Sequence, residues 1–305
     1  MKNNFFTTIK ADFLLLITAF IWGAGFVAQR AAMNYLPPFY FNAVRFLLGS
    51  LSLVPFILFK LKKNRLGLYI KKDSKNFFIA CITLGLILFC AASLQQIGIV
   101  YTTAGKAGFI TSLYVILVPI ISYLFLRQRL DFGIIIGVIF SFLGLYLLSI
   151  NSINKEFYIN KGDLLIFLCA IMFALHVIFI GYFVSKFDCI VLSSVQFFIT
   201  GLLSLIFAIC LEEISWQAIY QGLIPVLYAG FVSVGVAYTL QLVAQQHTSP
   251  SHASIILSLE SAFAVLTGYF LLDERLSSRA IWGCVLLFLG MMSAQLWPCF
   301  FRRNK

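Results

Sequence analysis

The sequence predicts an all-α polytopic membrane protein of ten transmembrane helices, arranged as two inverted five-helix repeats. Three observations predict it. The first is composition. Hydrophobic residues make up 61% of the 305 residues, charged residues 11%, and the mean hydropathy is +0.98. Soluble domains carry roughly 25% charged residues, and so few charges cannot cover the surface of a soluble globule of this size. Disorder needs the opposite balance. The second is a series of ten apolar stretches, each near the ~20 residues that cross a bilayer as a helix. The third is a weak match of the chain to itself at an offset of 146 residues.

In chain order, the first stretch covers about 12–30 and opens at Asp12. Lys2 and Lys10 precede it, as in a signal peptide, but its apolar run is long and many spans follow, so it reads as a retained helix. The second, 38–59, carries Asn42, Arg45, Gly49 and Ser52 at spacings that make one polar stripe. The third, 76–97, ends on Gln95 and Gln96; the fourth, 104–126, holds Lys106, Thr111, Tyr114 and Pro119. The fifth, 132–150, has Gly137 and Gly144. The sixth, 162–184, opens at Asp163 and contains His176; the seventh, 189–211, has Ser193, Gln196 and Thr200 on one face. The eighth, 217–244, leads through Tyr238 and Gln241 to Gln245. The ninth, 252–272, holds His252 and Glu260, and the tenth, 279–298, has Gly283 and Gly290. Only 60–75 and 151–161 are connections of any length, and neither can fold alone.

Lys and Arg set the orientation, because cytoplasmic segments are enriched in both. With the N-terminus inside, 15 of the 22 basic residues lie on inner segments, 5 on outer ones, and Arg45 and Lys106 are embedded. This places both termini in the cytoplasm and predicts a multi-pass protein of the bacterial inner membrane. It also explains the net charge of +11. Much of the excess sits in the Lys60–Lys75 loop, where it serves topology and attraction to anionic headgroups. The partner so implied is the lipid bilayer, and nucleic acid is excluded. The seven Cys form no CxxC pair and read as small packing residues.

At the offset of 146, Gly105–Ser149 lies over Ser251–Gln295. Arg129-Leu130 matches Arg275-Leu276, Gly137/Gly144 match Gly283/Gly290, and Ala107, Ser112 and Tyr123 match Ala253, Ser258 and Tyr269. Asp12 and Asp163 open the first and sixth spans alike. Residues 1–150 and 151–305 are therefore expected to be repeats of five spans each. An odd number of spans inverts the second repeat, an architecture common in secondary transporters, with a site near the midplane between the repeats. A duplication kept only for packing is the alternative.

Several strings carry a family resemblance. They are Ala19-Phe20-Ile21-Trp22-Gly23 running to Gln29-Arg30, Asn42-Ala43-Val44-Arg45-Phe46, and Gly98-Ile99-Val100-Tyr101-Thr102-Thr103-Ala104. Further strings are Ala107-Gly108-Phe109-Ile110-Thr111-Ser112-Leu113-Tyr114, Thr248-Ser249-Pro250, Ser258-Leu259-Glu260 and Asp273-Glu274-Arg275-Leu276. Together they resemble the EamA-type permeases of the drug/metabolite transporter superfamily, across nearly the whole chain. The resemblance implies a ten-helix carrier around a central cavity that moves small organic solutes. The family usually has Pro after the Glu of the ninth span; Ser261 stands there instead.

Ionisable groups inside a membrane are expensive and mark substrate or ion pathways by default. Glu260 lies about eight residues into its span, roughly 12 Å deep, and is a candidate for ammonium recognition or proton coupling, against a fixed structural ion pair. Arg45 can hold a carboxylate or phosphate with its planar fork, or else snorkels or pairs with Glu260. His176 is either a packing residue or a proton-coupling group. Lys106 reads as an interfacial anchor. Trp22, Asn42, Gln96, Tyr114 and Gln196 complete the candidate substrate-binding set, with the aromatics able to stack on a substrate or a cation. His247 and His252 lack further ligands, so no metal site is expected.

The expected function is secondary-active transport of small organic metabolites, amino acids or related zwitterions among them, by alternating access. The alternative is exchange of nucleotide-like or anionic solutes. A channel would need a ring of like groups along a pore, and the polar stripes are mixed. An enzyme would need a nucleophile–base pair or metal set on one face; no HExxH, GxSxG or paired acidic motif occurs. No GxxxxGK[ST] string is present, so ATP hydrolysis is not expected. No cofactor is implied. Proton coupling, metabolite exchange and a homodimer are all compatible with the sequence.

Overall fold

The computed structural model describes residues 5–62, 74–102, 104–127, 131–149, 161–213, 216–272 and 278–301. The basic 63–73 segment, Arg129, Lys155 and the Asp273–Leu276 string lie outside the described residues, as does the side chain of Lys106.

All regular elements among the described residues are helical. They are α1 (Phe5–Ala32), α2 (Pro38–Lys62), α3 (Ser74–Tyr101), α4 (Ala104–Ser112), α5 (Tyr114–Leu126), α6 (Phe132–Ser149), α7 (Lys161–Phe183) and α8 (Cys189–Leu211). There follow α9 (Trp216–Gln221), α10 (Leu223–Leu227), a π-helix (Tyr228–Tyr238), α11 (Thr239–Gln245), α12 (Pro250–Leu257), α13 (Glu260–Leu272) and α14 (Ser278–Phe301). Large apolar side chains face outward along the helices, among them Phe20, Phe56, Phe78, Phe125 and Phe270. That is the surface of a multi-pass membrane protein, whose solvent is hydrocarbon.

Seven helical stretches among the described residues are long and apolar enough to cross a membrane. They correspond to the first four and the sixth to eighth predicted spans. Phe132–Leu147 and Ile281–Ala294 are shorter apolar helices, at the fifth and tenth predicted positions. The ninth is divided into α12 and α13.

Three extensive helix pairs organise the bundle, α2 with α8, α6 with α14 and α3 with α7; the first two fix the direction of the helices. In the first, α2 packs along α8. The Phe39 and Tyr40 N–H groups at the start of α2 each donate to the Glu212 carboxylate after α8 (2.8 Å each). Lys60 near the end of α2 meets Asp188, the N-cap of α8, at 2.6 Å. The two helices are therefore antiparallel, and Ser50 and Ser194 hydrogen-bond where they cross. In the second interface α6 packs along α14. Gly137 approaches Gly290 and Gly144 approaches Gly283, again antiparallel; a Cβ at Gly144 would stand 2.7 Å from the Gly283 carbonyl oxygen. The two small-residue seams seen in the sequence thus face each other within one chain. Small residues let helices come this close where lipid offers no hydrophobic drive between them.

Three predicted helices are not continuous. The fourth breaks at Leu113, the ninth at Ser258–Leu259, and the eighth passes through an 11-residue π-helix. Proline is not the cause at either break, since Pro119 lies inside α5 and no proline stands between His252 and Leu272. Serines satisfy carbonyls loosened near the α12–α13 break: Ser254 donates to the Ser251 oxygen (2.9 Å), Ser258 to Ile255 and Ser261 to Ser258 (2.7 Å each). Irregular backbone is tolerated at membrane depth only where protein or a cavity meets it, and both breaks adjoin the cavity described next.

Candidate functional site

The interruptions place Tyr114 and Glu260 at the first positions of α5 and α13. The Tyr114 hydroxyl donates to Glu260 Oε1 at 3.1 Å, and the Ser112 hydroxyl donates to the same oxygen at 3.3 Å. Glu260 is buried, with 3% of its surface exposed. The N-terminal end of α13 adds its dipole to these donors on the carboxylate.

Arg45 stands on α2 and is equally buried, at 3% exposure. Its guanidinium carbon lies 5.1 Å from the Phe41 ring centroid and 5.0 Å from that of Phe46, both on its own helix. These rings hold the cation from the side. Its Nε has no hydrogen-bond partner in the protein, and among the described residues no carboxylate forms an ion pair with it.

Glu260 and Arg45 line one cavity of about 30 Å³, together with Trp22, Phe26, Gln29, Gln95, Thr111, Tyr114, Phe173, Ser233 and Tyr238. Trp22 donates its indole N–H to the Ser233 carbonyl at 3.3 Å and packs against Tyr238 with ring centroids 4.6 Å apart. Gln95 donates to the Thr111 hydroxyl at 3.3 Å. The π-helix delivers both Ser233 and Tyr238 to the cavity. Wide turns of this kind are rare and gather at functional sites. The volume admits a few water molecules.

Of the eight residues singled out from the sequence, Trp22, Arg45, Tyr114 and Glu260 meet in this cavity. The other four are buried beside it. Asn42 donates to the Ala92 carbonyl (3.1 Å) and Gln96 to that of Gln29 (3.5 Å). His176 Nε2 and Gln196 Oε1 are 3.0 Å apart, and the His176 ring packs edge-on against Tyr238. Asn42 Oδ1, Gln96 Oε1, His176 Nδ1 and Gln196 Nε2 have no partner in the protein. Phe173 and Ser233 were not anticipated. Phe173 occupies the place in α7 that Trp22 holds in α1, counted from Asp163 and Asp12, so the repeat itself carried that signal. Ser233 had none, because it enters through the π turns. Among the described residues no cluster of three His, Cys, Asp or Glu could hold a metal ion, and the six described cysteines are free.

A family model described as the EamA-like transporter family matches residues 9–150 and again 160–294. An uncharacterized transporter of Archaeoglobus fulgidus is 34% identical over 291 residues, covering 94% of this chain and 86% of that protein. The uncharacterized transporter YoaV of Bacillus subtilis is 21% identical, covering 93% and 96%. A solved crystal structure superposes with a TM-score of 0.78 at 17% identity, covering 97% of this chain and 99% of the other, which shows a shared fold.

Proposed function

Because the chain belongs to the EamA-like transporter family, we propose that it is a secondary-active carrier of small zwitterionic metabolites, amino acids or their relatives, working by alternating access. The observation that carries the reading is the pair of opposite charges, Glu260 and Arg45, in the wall of one buried cavity without an ion pair between them. A zwitterion supplies what each lacks. Its ammonium group faces the carboxylate, and its carboxylate takes the guanidinium fork. Trp22 and Tyr238 give the body of the solute an aromatic wall. A buried charge is costly until paired, so each charge gains most from a ligand of the complementary sign.

The carrier has ten spans in two inverted halves, 1–150 and 151–305, with both termini in the cytoplasm of a bacterial inner membrane. Support comes from the interfaces. Equivalent helices of the two halves, α2 with α8 and α6 with α14, cross antiparallel, as a two-fold axis in the membrane plane requires. Each glycine seam meets the other in reverse register, Gly137 at Gly290 and Gly144 at Gly283.

Exchange of anionic solutes is the second reading, favoured by the free Nε of Arg45. Proteoliposomes decide between them. Zwitterion transport predicts saturable uptake of amino acids that is lost in both Glu260→Gln and Arg45→Ala. Uptake of organic anions that survives Glu260→Gln selects the second reading. Unitary currents in a planar bilayer would instead indicate a channel.

A further inference from the structure

At the end of the bundle where α1 begins, Asp12 Oδ1 lies 2.9 Å from His252 Nε2 in the first turn of α12. Both side chains are largely buried, at 7% and 11% exposure. The pair joins the first helix of the first half to the ninth predicted span, in the second half. Asp12 Oδ2 has no partner in the protein, so the imidazole is what the carboxylate holds.

Asp163, the counterpart of Asp12, lies at the opposite end. There it accepts from the Thr102 hydroxyl at 3.1 Å, again joining the two halves. The ends are distinct because the C-terminal parts of α1 and α3 lie together, through Gln29 and Gln96, far along α1 from Asp12.

We propose that Asp12 and His252 form a proton-operated latch that closes one end of the central pathway, and that the latch makes opening of that end pH-dependent. The proposal rests on the alternating-access reading. With the imidazole protonated, the contact is an ion pair as well as a hydrogen bond, and the attraction between opposite charges in this buried place adds to the bond. Loss of the proton leaves a single hydrogen bond to a neutral ring, and the end loosens. Imidazole is the side chain suited to such a change near neutral pH. The proton is the ligand, and it binds away from Glu260.

Among the described residues, the other charged or imidazole groups at this end are Lys10 on α1, Lys60 and Lys62 at the end of α2, Lys75 at the start of α3, Arg127 after α5, Asp131 before α6, Lys186 after α7, Asp188 at the N-cap of α8 and His247 before α12. None of them forms an ion pair with Asp12 or His252. The described C-terminal half of α14 carries no charged residue.

Hydrogen–deuterium exchange of the 250–257 helix tests this on the full chain in lipid nanodiscs. Wild type and His252→Gln are compared at about pH 6 and about pH 8, on either side of neutral. Gln keeps a neutral donor, and comparison at equal pH cancels the intrinsic exchange rate. Near pH 6 the wild-type helix should exchange about ten-fold more slowly than the variant, the ratio that ~1.4 kcal/mol of added pairing gives. Near pH 8 the two should agree within about two-fold. Asp12→Asn should match His252→Gln, and the double variant should match either alone. Equal wild-type-to-variant ratios at both pH values, or additive effects in the double variant, overturn the latch. The measurement needs no substrate, so a failed transport assay leaves it standing, and a flat exchange profile leaves the carrier reading standing.

Discussion

Tyr114 and Glu260 hold the same place in the two halves of the chain, 146 positions apart, and they are hydrogen-bonded to each other at 3.1 Å. Each begins the helix that follows a break. The contact thus joins two positions that the 146-residue offset relates, one serving as donor and the other as acceptor.

That contact gives the first prediction. Tyr114→Phe removes the hydroxyl and keeps the ring. A hydrogen bond to a charged group contributes ~1.5–3 kcal/mol to stability, so the unfolding midpoint should fall, and transport should weaken because the Glu260 carboxylate loses a donor that holds it. Initial rates in proteoliposomes and a thermal unfolding curve check both halves of the statement.

Arg45→Lys is the second. The positive charge remains, but the fork that matches a carboxylate is lost. The apparent affinity for a carboxylate-bearing solute should weaken at least ~10-fold, about 1.4 kcal/mol, as read from the concentration dependence of uptake. Equal affinity in the lysine variant would remove Arg45 from the anion subsite.

Packing supplies the third. Gly144→Leu puts a side chain where the Gly283 carbonyl and Leu287 already stand. Overpacking costs ~1–3 kcal/mol, so the unfolding midpoint should drop clearly. Gly105→Ala, at a position with no atom near an added Cβ, should leave it within the ~0.5 kcal/mol typical of neutral sites.

Glu212 provides the fourth. Burial raises its carboxyl above the ordinary carboxylate range, partly offset by the Phe39 and Tyr40 N–H donors. A carboxyl raised in the folded state binds its proton more tightly there than when unfolded. Its contribution is therefore present at low pH and lost as pH rises through the folded-state value. Stability of the wild type should decline relative to Glu212→Gln as pH is raised across that window, in denaturation series run at matched pH. A parallel pair of curves would refute the assignment.

Much of this was legible in the sequence, for physical reasons. Long apolar runs announce helices that must bury their backbone polarity in lipid, and embedded charges such as Glu260 and Arg45 stand out against them. The helix breaks were not legible. Pro119 is the conspicuous helix breaker of the fourth predicted span, yet the break falls at Leu113 and the helix runs on through Pro119. The Asp12–His252 contact was hidden for a related reason. The partners are 240 residues apart, and neither half of the chain carries a local signal for the other. Asn42, Gln96 and Gln196 stand out by polarity, and His176 by its imidazole, and neither signal says which part of the interior a residue occupies.

The π-helix from Tyr228 to Tyr238 has a mechanical consequence. Its wide turns hold slack that an ordinary helix lacks. Tightening one of them to the usual four-residue spacing swings everything downstream by about 100° per residue dropped, with the hydrogen-bond ladder re-formed rather than severed. Tyr238 can thereby rotate out of the wall and back like a cam on its shaft, while the helix that carries it stays whole.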